Sequence, residues 1–326
     1  MERLFKMFLN PQILSMLIID IIFLIFSTIA FILSLKIYLK WDFNSTKQSQ
    51  YILEKQSFLA AVIIKYIFIL KLPLFLFFIY TLDLLSNSII GAMCGAGVID
   101  AVSFGISLFV LKIANMFLFG FWLIIHYEDL KYSNLVFTKL KFTYFILIYF
   151  LFISELILEI IMFNSIDISK MVSCCGTLYS SSSTTMMSIL FNIDSHIILY
   201  IFYFIYLLNL IFYKLKNAFL FSISNILFIP ISIISLIVFF SPYIYQLPTH
   251  HCPFCILQKD YFYMGYFIYI ILFIGTFYGI SNVILKLLNN NENKYFDISI
   301  IFISLYVFIL SAYPILYYIN NNVWLN

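Results

Sequence analysis

Two cysteines separated by two residues, Cys252 and Cys255, form the segment of this chain that is best suited to chemistry. They read Cys-Pro-Phe-Cys and directly follow His250 and His251. Thiolates exchange with disulfides and bind soft metal ions, and the imidazole of histidine is the commonest metal ligand in proteins. The segment therefore predicts either a redox-active pair or a metal site.

The Cys-Pro-Phe-Cys spacing resembles the redox-active Cys-x-x-Cys motif of the thioredoxin and glutaredoxin superfamily. The resemblance covers the motif alone, because no βαβ pattern surrounds it. Cys252 precedes a predicted helix with Pro253 at its first position, so we expect it at the N-cap, where the helix dipole favours a thiolate. We interpret Cys252 as the nucleophile and Cys255 as its resolving partner.

The other three cysteines lie in two further connectors between apolar segments. Cys174 and Cys175 are adjacent, and such a pair either forms a vicinal disulfide or presents two donors to one metal ion. Cys94 lies between Met93 and Gly95, where thioether, thiol and flexible backbone occur together. This composition predicts a tightly folded or re-entrant loop.

Composition indicates which kind of fold must position these residues. Of the 326 residues, 64% are hydrophobic and 10% carry a formal charge, which is typical of a chain that lies in lipid. Apolar runs of about 20 residues, the length that crosses a bilayer as a helix, recur along the whole chain. They predict an all-α integral membrane protein, a single helical bundle over residues 1–326 with short loops and no soluble domain. The eight predicted spans lie near 13–35, 62–84, 101–125, 143–163, 195–213, 219–240, 262–285 and 298–319.

Lysine placement predicts the orientation, because positive residues in short loops resist translocation. We expect the first span to stay as a membrane anchor, with both termini and every cysteine-bearing loop on the non-cytoplasmic side of the cell (inner) membrane. The basic residues of that side are Arg3, Lys6, Lys170 and Lys259, whereas the odd-numbered connectors hold Lys36, Lys40, Lys47, Lys55, Lys131, Lys139, Lys141, Lys214, Lys216, Lys286 and Lys294.

Charged residues also fall within the predicted spans, where each costs at least roughly 2.5 kcal/mol near the bilayer centre. Glu155 and Glu159 are four residues apart and share a helix face, and Lys112 lies at comparable depth, so a Lys112–Glu155 pair is expected. We expect this face to carry any proton movement or quinone reduction. The charges nearer to span ends are expected to be structural and to reach toward water: Asp20, Lys65, Lys71 and Asp83.

Three functions fit these observations. The first is thiol–disulfide exchange, in which Cys252 and Cys255 react with a thioredoxin-like partner and pass electrons on through Cys174, Cys175 or Cys94. The second is transport or assembly of a soft metal, copper or zinc, delivered by a metallochaperone. Its candidate ligands are His250, His251, Cys252, Cys255 and Met93. The third is a non-catalytic permease subunit with structural cysteines. The chain has no nucleotide-binding or hydrolase motif, and its small net charge indicates no nucleic-acid partner.

Overall fold

A computed structural model of the chain describes residues 10–42, 47–132, 135–167, 172, 193–288 and 294–325. Within these residues the chain is helical and contains no β-strand, and eight helices are long and apolar enough to cross a membrane. The predicted all-α polytopic fold is confirmed. The protein is therefore a multi-pass membrane protein whose apolar helix surfaces contact the bilayer.

The helices follow the predicted spans in number and order. The second begins at Gln48 rather than near residue 62, because its first turns extend beyond the apolar run and leave Glu54 and Lys55 exposed. In chain order the helices are α1 (Pro11–Lys40), α2 (Gln48–Ser86), the short α3 (Gly95–Asp100), α4 (Gly105–Asp129), α5 (Thr138–Ser165), α6 (Ser195–Lys214), α7 (Ala218–Ser235), α8 (Ser241–Tyr245), α9 (Met264–Leu287) and α10 (Lys294–Asn321).

Short polar residues start several of these helices. The side chains of Asn10, Asp194 and Asn217 each accept hydrogen bonds from the backbone N–H groups of the first turn that follows. Such caps satisfy donors that have no partner within the helix, and near lipid an unsatisfied donor is costly. The caps therefore fix where α1, α6 and α7 begin.

The sixth span has an irregular centre. Helix α7 continues into a π-helical segment, Leu236–Phe240, before α8 completes the span. The Ser241 hydroxyl donates to the Leu236 carbonyl at 2.7 Å, so one carbonyl of the π-helical segment gains a side-chain donor. A π segment releases carbonyl groups for other partners and is often found beside functional sites.

The chain divides into two compact units. The first comprises Met1–Leu82 and Ile99–Asp167, and in it α1 and α4 both pack against α5. The second comprises Asp83–Val98 and Ile168–Asn326, and in it α9 packs against α7 and α10 while α6 packs against α7. The single-bundle organisation expected from the sequence stays a prediction.

The close contact between α7 and α9 in the second unit depends on a glycine. Ser222 of α7 donates to the Gly279 carbonyl of α9 at 3.0 Å, and a Cβ on Gly279 would overlap the amide group of Asn225. Small residues allow helix backbones to approach closely in a membrane, where packing and hydrogen bonds replace the hydrophobic effect as the main attraction. Gly279 is therefore a packing residue of the α7–α9 contact.

We expect Gly279→Ala to destabilise the protein by about 1–3 kcal/mol, because the added methyl must displace Asn225. Thermal unfolding of the purified protein in detergent measures this change. The sign of the stability change separates the two effects, because helix propensity alone predicts that alanine stabilises a helix interior by about 1 kcal/mol relative to glycine. An unchanged or raised melting temperature would contradict the close contact.

Candidate functional site

Three buried cysteines of the second unit meet at one place. Cys94 immediately precedes α3, and Cys252 and Cys255 lie in the connector between α8 and α9. Their sulfur atoms all lie within 4.8 Å of one another, and Cys94 Sγ is 3.3 Å from Cys252 Sγ although 158 residues separate the two in the sequence. Cys94 and Cys252 are 0% exposed and Cys255 is 4% exposed. The arrangement is a compact set of three sulfur donors shielded from solvent.

The loop that carries Cys94 is tightly folded, as its glycines predict. Gly91 has a φ of +88°, a left-handed conformation that favours glycine, and a Cβ there would overlap the Val172 carbonyl. The Val172 N–H donates to the Ile90 carbonyl at 3.0 Å, so this residue braces the loop just before Cys94. The short helix α3 follows and holds Cys94 at its start.

Two tyrosines hold the Cys-Pro-Phe-Cys segment from the helices on either side. The Tyr245 hydroxyl at the end of α8 donates to the Cys252 carbonyl at 2.5 Å. The Tyr269 hydroxyl in α9 donates to the Pro253 carbonyl at 2.7 Å. Because both phenols bind the backbone, they fix the segment while leaving its sulfur atoms directed elsewhere.

Gln258 joins the two cysteine loops. Its side-chain amide donates to Asp83 Oδ1 at 2.9 Å and to the Met93 carbonyl at 3.0 Å. These bonds connect the residue after the Cys255–Leu257 3₁₀ turn to the last turns of α2 and to the residue before Cys94. Gln258, Tyr245 and Tyr269 are positioning residues that sequence reasoning missed, since nothing in their spacing distinguishes them from other polar and aromatic residues.

The predicted position of Cys252 at a helix N-cap is wrong. Helix α9 begins only at Met264, and the intervening chain forms two 3₁₀ turns, Cys255–Leu257 and Lys259–Tyr261. Phe262 and Tyr263 then adopt left-handed conformations with φ of 52° and 57°, which separates these turns from the helix. The dipole of α9 therefore does not act on the Cys252 thiol as the sequence suggested.

The histidines lie around the cysteines in different environments. His251 Nδ1 is 2.9 Å from the Ile237 carbonyl of the π segment, so its ring is bound to the sixth span. His250 Nε2 is buried without a hydrogen-bond partner among the described residues, and its ring contacts Tyr245 with centroids 4.2 Å apart. Burial lowers the pKa of both histidines, and for His250 the nearby Cys94 acts in the opposite direction. A lowered pKa keeps the imidazole neutral, which is the state that binds metals.

The remaining predicted site residues are Met93, Cys174 and Cys175. The Met93 side chain is 65% exposed, whereas the three cysteines are buried. Cys174 and Cys175 lie outside the described residues.

A second polar site, which we call the ion network, lies within the first unit. Lys112 Nζ is 3.0 Å from Glu155 Oε1 and 2.6 Å from Glu159 Oε2, so the expected Lys112–Glu155 contact is present. Lys71 Nζ is 3.1 Å from Glu155 Oε1 and 2.6 Å from Asp20 Oδ1. The network therefore joins helices α1, α2, α4 and α5 through five ionised or ionisable groups.

Asp20 and Lys71 differ from their sequence-based interpretation. We expected them to reach toward water from the ends of their spans, but they are 0% and 3% exposed and bind each other in the ion network. Lys71 also lies 4.7 Å from the centre of the Phe152 ring. The sequence analysis therefore gave Asp20 and Lys71 another role, and it missed Asn115, whose amide group within an apolar run could have indicated it.

We expect Lys112→Met to destabilise the protein by roughly 3–5 kcal/mol, because it leaves Glu155 and Glu159 buried with one cation in place of two. The matched control is Lys65→Met, since Lys65 lies on the same unit, is only partly buried and contacts the Tyr127 ring. Denaturant or thermal unfolding in detergent compares the two variants. Equal stabilities would mean that the network does not support the fold.

Comparison with known proteins gives no relative from which a function follows. No protein-family model, curated protein or solved structure matches the chain. The three buried cysteines and the ion network are therefore the features of the molecule that indicate a function.

Proposed function

We propose that the protein binds a soft metal ion, Cu(I) or Zn(II), through Cys94, Cys252 and Cys255, and that it transports this metal or delivers it to other proteins. The observation that carries the proposal is the approach of three buried sulfur atoms to within 4.8 Å of one another. Thiolate is the ligand that Cu(I) and Zn(II) bind most readily in proteins.

The spacing of the sulfur atoms suits a single ion. A metal–sulfur bond of about 2.3 Å places two thiolates on one ion about 3.8–4.0 Å apart in tetrahedral or trigonal geometry. The Cys94–Cys252 separation of 3.3 Å is slightly shorter, and the upper limit of 4.8 Å is slightly longer. Small side-chain rotations are therefore enough to bring all three sulfur atoms onto one ion.

Burial also favours a metal over an exposed redox pair. Thiolates in a dry site are poorly solvated and need a positive partner nearby, which a bound cation supplies. Cys252 is 0% exposed, and Ile256 and Leu257 of the same connector are also buried. A soluble thioredoxin-like protein that must reach the Cys252 sulfur would meet this barrier, whereas a small ion would not.

His250 is the best candidate for a fourth ligand. Its Nε2 is buried without a partner in the described part of the chain, and Cys94 is close enough to influence its charge. Its ring nitrogens lie outside the 4.8 Å sulfur group, so ligation requires a side-chain rotation. Three sulfurs alone suit Cu(I), and addition of an imidazole suits tetrahedral Zn(II).

Thiol–disulfide exchange is the second candidate function, favoured by the 3.3 Å contact between Cys94 and Cys252. A reduced dithiol partner would attack a Cys252–Cys255 disulfide, and a second partner thiol would then resolve the mixed disulfide. Two electrons and two protons pass to the cysteines, and the partner leaves as a disulfide. Attack by Cys94 on the same bond would transfer the disulfide within the site.

Both functions use the orientation proposed from the lysines, with the cysteine loops on the non-cytoplasmic side of the cell membrane. A partner on that side would be a metallochaperone for the first function and a thioredoxin-like protein for the second. Measurements of metal content and of thiol state distinguish the two functions.

We expect protein purified from metal-replete cells to hold about one copper or zinc ion per chain, because three preformed thiolate donors bind such ions tightly. Cys94→Ser and Cys252→Ser should each remove most of the metal. Met93→Leu is the matched control, since the Met93 side chain adjoins Cys94 in sequence but is exposed. Elemental mass spectrometry measures the content. Metal-free wild-type protein, or equal loss in the Met93→Leu variant, would contradict the proposal.

A membrane-impermeant alkylating reagent on intact cells tests the thiol state and the orientation together. For a metal site we expect Cys252 and Cys255 to be labelled slowly after chelation, because the buried thiols react only when the emptied loops open, and for a redox pair we expect labelling only after reduction. Peptide mass spectrometry reads the labelled residues, and a Cys252→Ser, Cys255→Ser double variant gives the background. Labelling of these peptides only in permeabilised cells would contradict the proposed orientation.

A further inference from the structure

The ion network of the first unit carries an imbalance of charge. Its acidic members are Asp20, Glu155 and Glu159, and its basic members are Lys71 and Lys112. Three carboxylates against two ammonium groups leave one negative charge, and each of these residues is at most 4% exposed. An uncompensated charge at bilayer depth is strongly unfavourable, so the network needs one further positive charge.

Hydrogen-bond donors are distributed unequally over the three carboxylates. Both carboxylate oxygens of Glu155 accept hydrogen bonds. Lys71 and Lys112 donate to its Oε1, and the Asn115 amide donates to its Oε2 at 2.6 Å. Glu159 receives only Lys112 on Oε2, and its Oε1 is buried with no partner among the described residues. Glu155 is therefore the carboxylate best stabilised in its ionised form.

Asp20 and Glu159 have similar partners. Each lies 2.6 Å from one ammonium group, Lys71 for Asp20 and Lys112 for Glu159, and each shares that ammonium group with Glu155. Charge pairing therefore leaves these two carboxylates as the candidates for an added proton. The glutamic acid side chain is the weaker acid of the two, so the proton binds Glu159 in preference to Asp20.

We propose that Glu159 binds an exchangeable proton inside the membrane, so that the ion network is neutral when this proton is present. The reaction is addition of one proton to the Glu159 carboxylate to give a carboxylic acid. The other polar groups of the ion network are Asp20 from α1, Lys71 from α2, Lys112 and Asn115 from α4, and Glu155 from its own helix, and Lys112 is the one that binds Glu159 directly in the described part of the chain. This site is separate from the proposed metal function and stands or falls independently of it.

A proton fits this place better than a metal cation does. Lys71 and Lys112 lie within the network, and their positive charges repel a sodium or calcium ion that approaches the same oxygens. A metal cation also needs several oxygen ligands directed at one point, whereas both oxygens of Glu155 already accept hydrogen bonds from other side chains. A proton needs a single oxygen, which Glu159 Oε1 provides.

A small cavity beside the network gives the proton a means of exchange. It is lined by apolar residues and by Lys71, Lys112 and Glu155, and its volume of about 10 Å³ admits about one water molecule. Glu159 does not line this cavity, but Lys112 does, and its ammonium group donates to Glu159 Oε2 at 2.6 Å. A proton would therefore pass between a water in the cavity and Glu159 through Lys112, which gives one proton to the carboxylate and takes another from the water.

Infrared spectroscopy of the purified full-length protein in lipid nanodiscs tests the proposal. Wild-type protein at neutral pH should show the carbonyl stretch of a protonated carboxylic acid, which shifts in D₂O and disappears as the pH is raised. Incorporation of carboxyl-labelled ¹³C-glutamate should move the band, which assigns it to a glutamate without any substitution. Glu159→Gln should remove the band and keep the melting temperature close to that of wild type, because glutamine imitates the neutral acid.

The matched control is Glu54→Gln, since Glu54 is exposed on α2 and its removal should leave the band in place. Absence of the band in wild type at neutral pH would overturn the proposal. A band that does not shift on glutamate labelling, or that persists in the Glu159→Gln variant, would also overturn the proposal. A band that appears only when sodium is replaced by choline would show that a metal cation occupies the site instead.

Discussion

The absence of water from the hydrocarbon core is the constraint on which this structure depends. Charged and amide groups that cross it must find partners within the chain, because lipid offers none. In the first unit this requirement joins four helices through Lys71, Lys112 and three carboxylates. In the second unit Asn209 of α6 accepts from Ser224 and Asn225 of α7 at 2.9 and 2.8 Å. Pairing of polar side chains therefore specifies which helix faces meet, while apolar side chains fill the space between them.

The membrane fold could be predicted from the sequence because a span needs only length and apolarity, and both are local properties. Pairing between spans is not local, since it depends on how each helix is rotated. The Lys112–Glu155 contact was accessible because both residues lie at mid-depth, whereas Asp20 and Lys71 seemed close enough to span ends to reach water. Their burial depends on how α1 and α2 are rotated about their own axes, and a hydropathy profile carries no information about this rotation.

The cysteine site was only partly predictable for a similar reason. The sequence indicated Cys252, Cys255 and Cys94 as reactive residues, but their meeting depends on hydrogen bonds such as those of Gln258 to Asp83 and to the Met93 carbonyl. Cys252 is not at a helix N-cap because the residues that follow Pro253, which were expected to begin a helix, form two 3₁₀ turns instead. The three thiols are therefore buried, and Cys252 lies away from the start of α9.

The distance of 158 residues between Cys94 and Cys252 has a consequence for how the protein is made. At a synthesis rate of 5–20 residues per second, Cys252 leaves the ribosome roughly 8–30 seconds after Cys94. During that interval the nascent chain presents Cys94 without the two sulfur atoms that later surround it. Four further spans must be inserted before Cys252 can join it. The sulfur cluster can therefore form only after the sixth span, which ends at Tyr245, has been inserted.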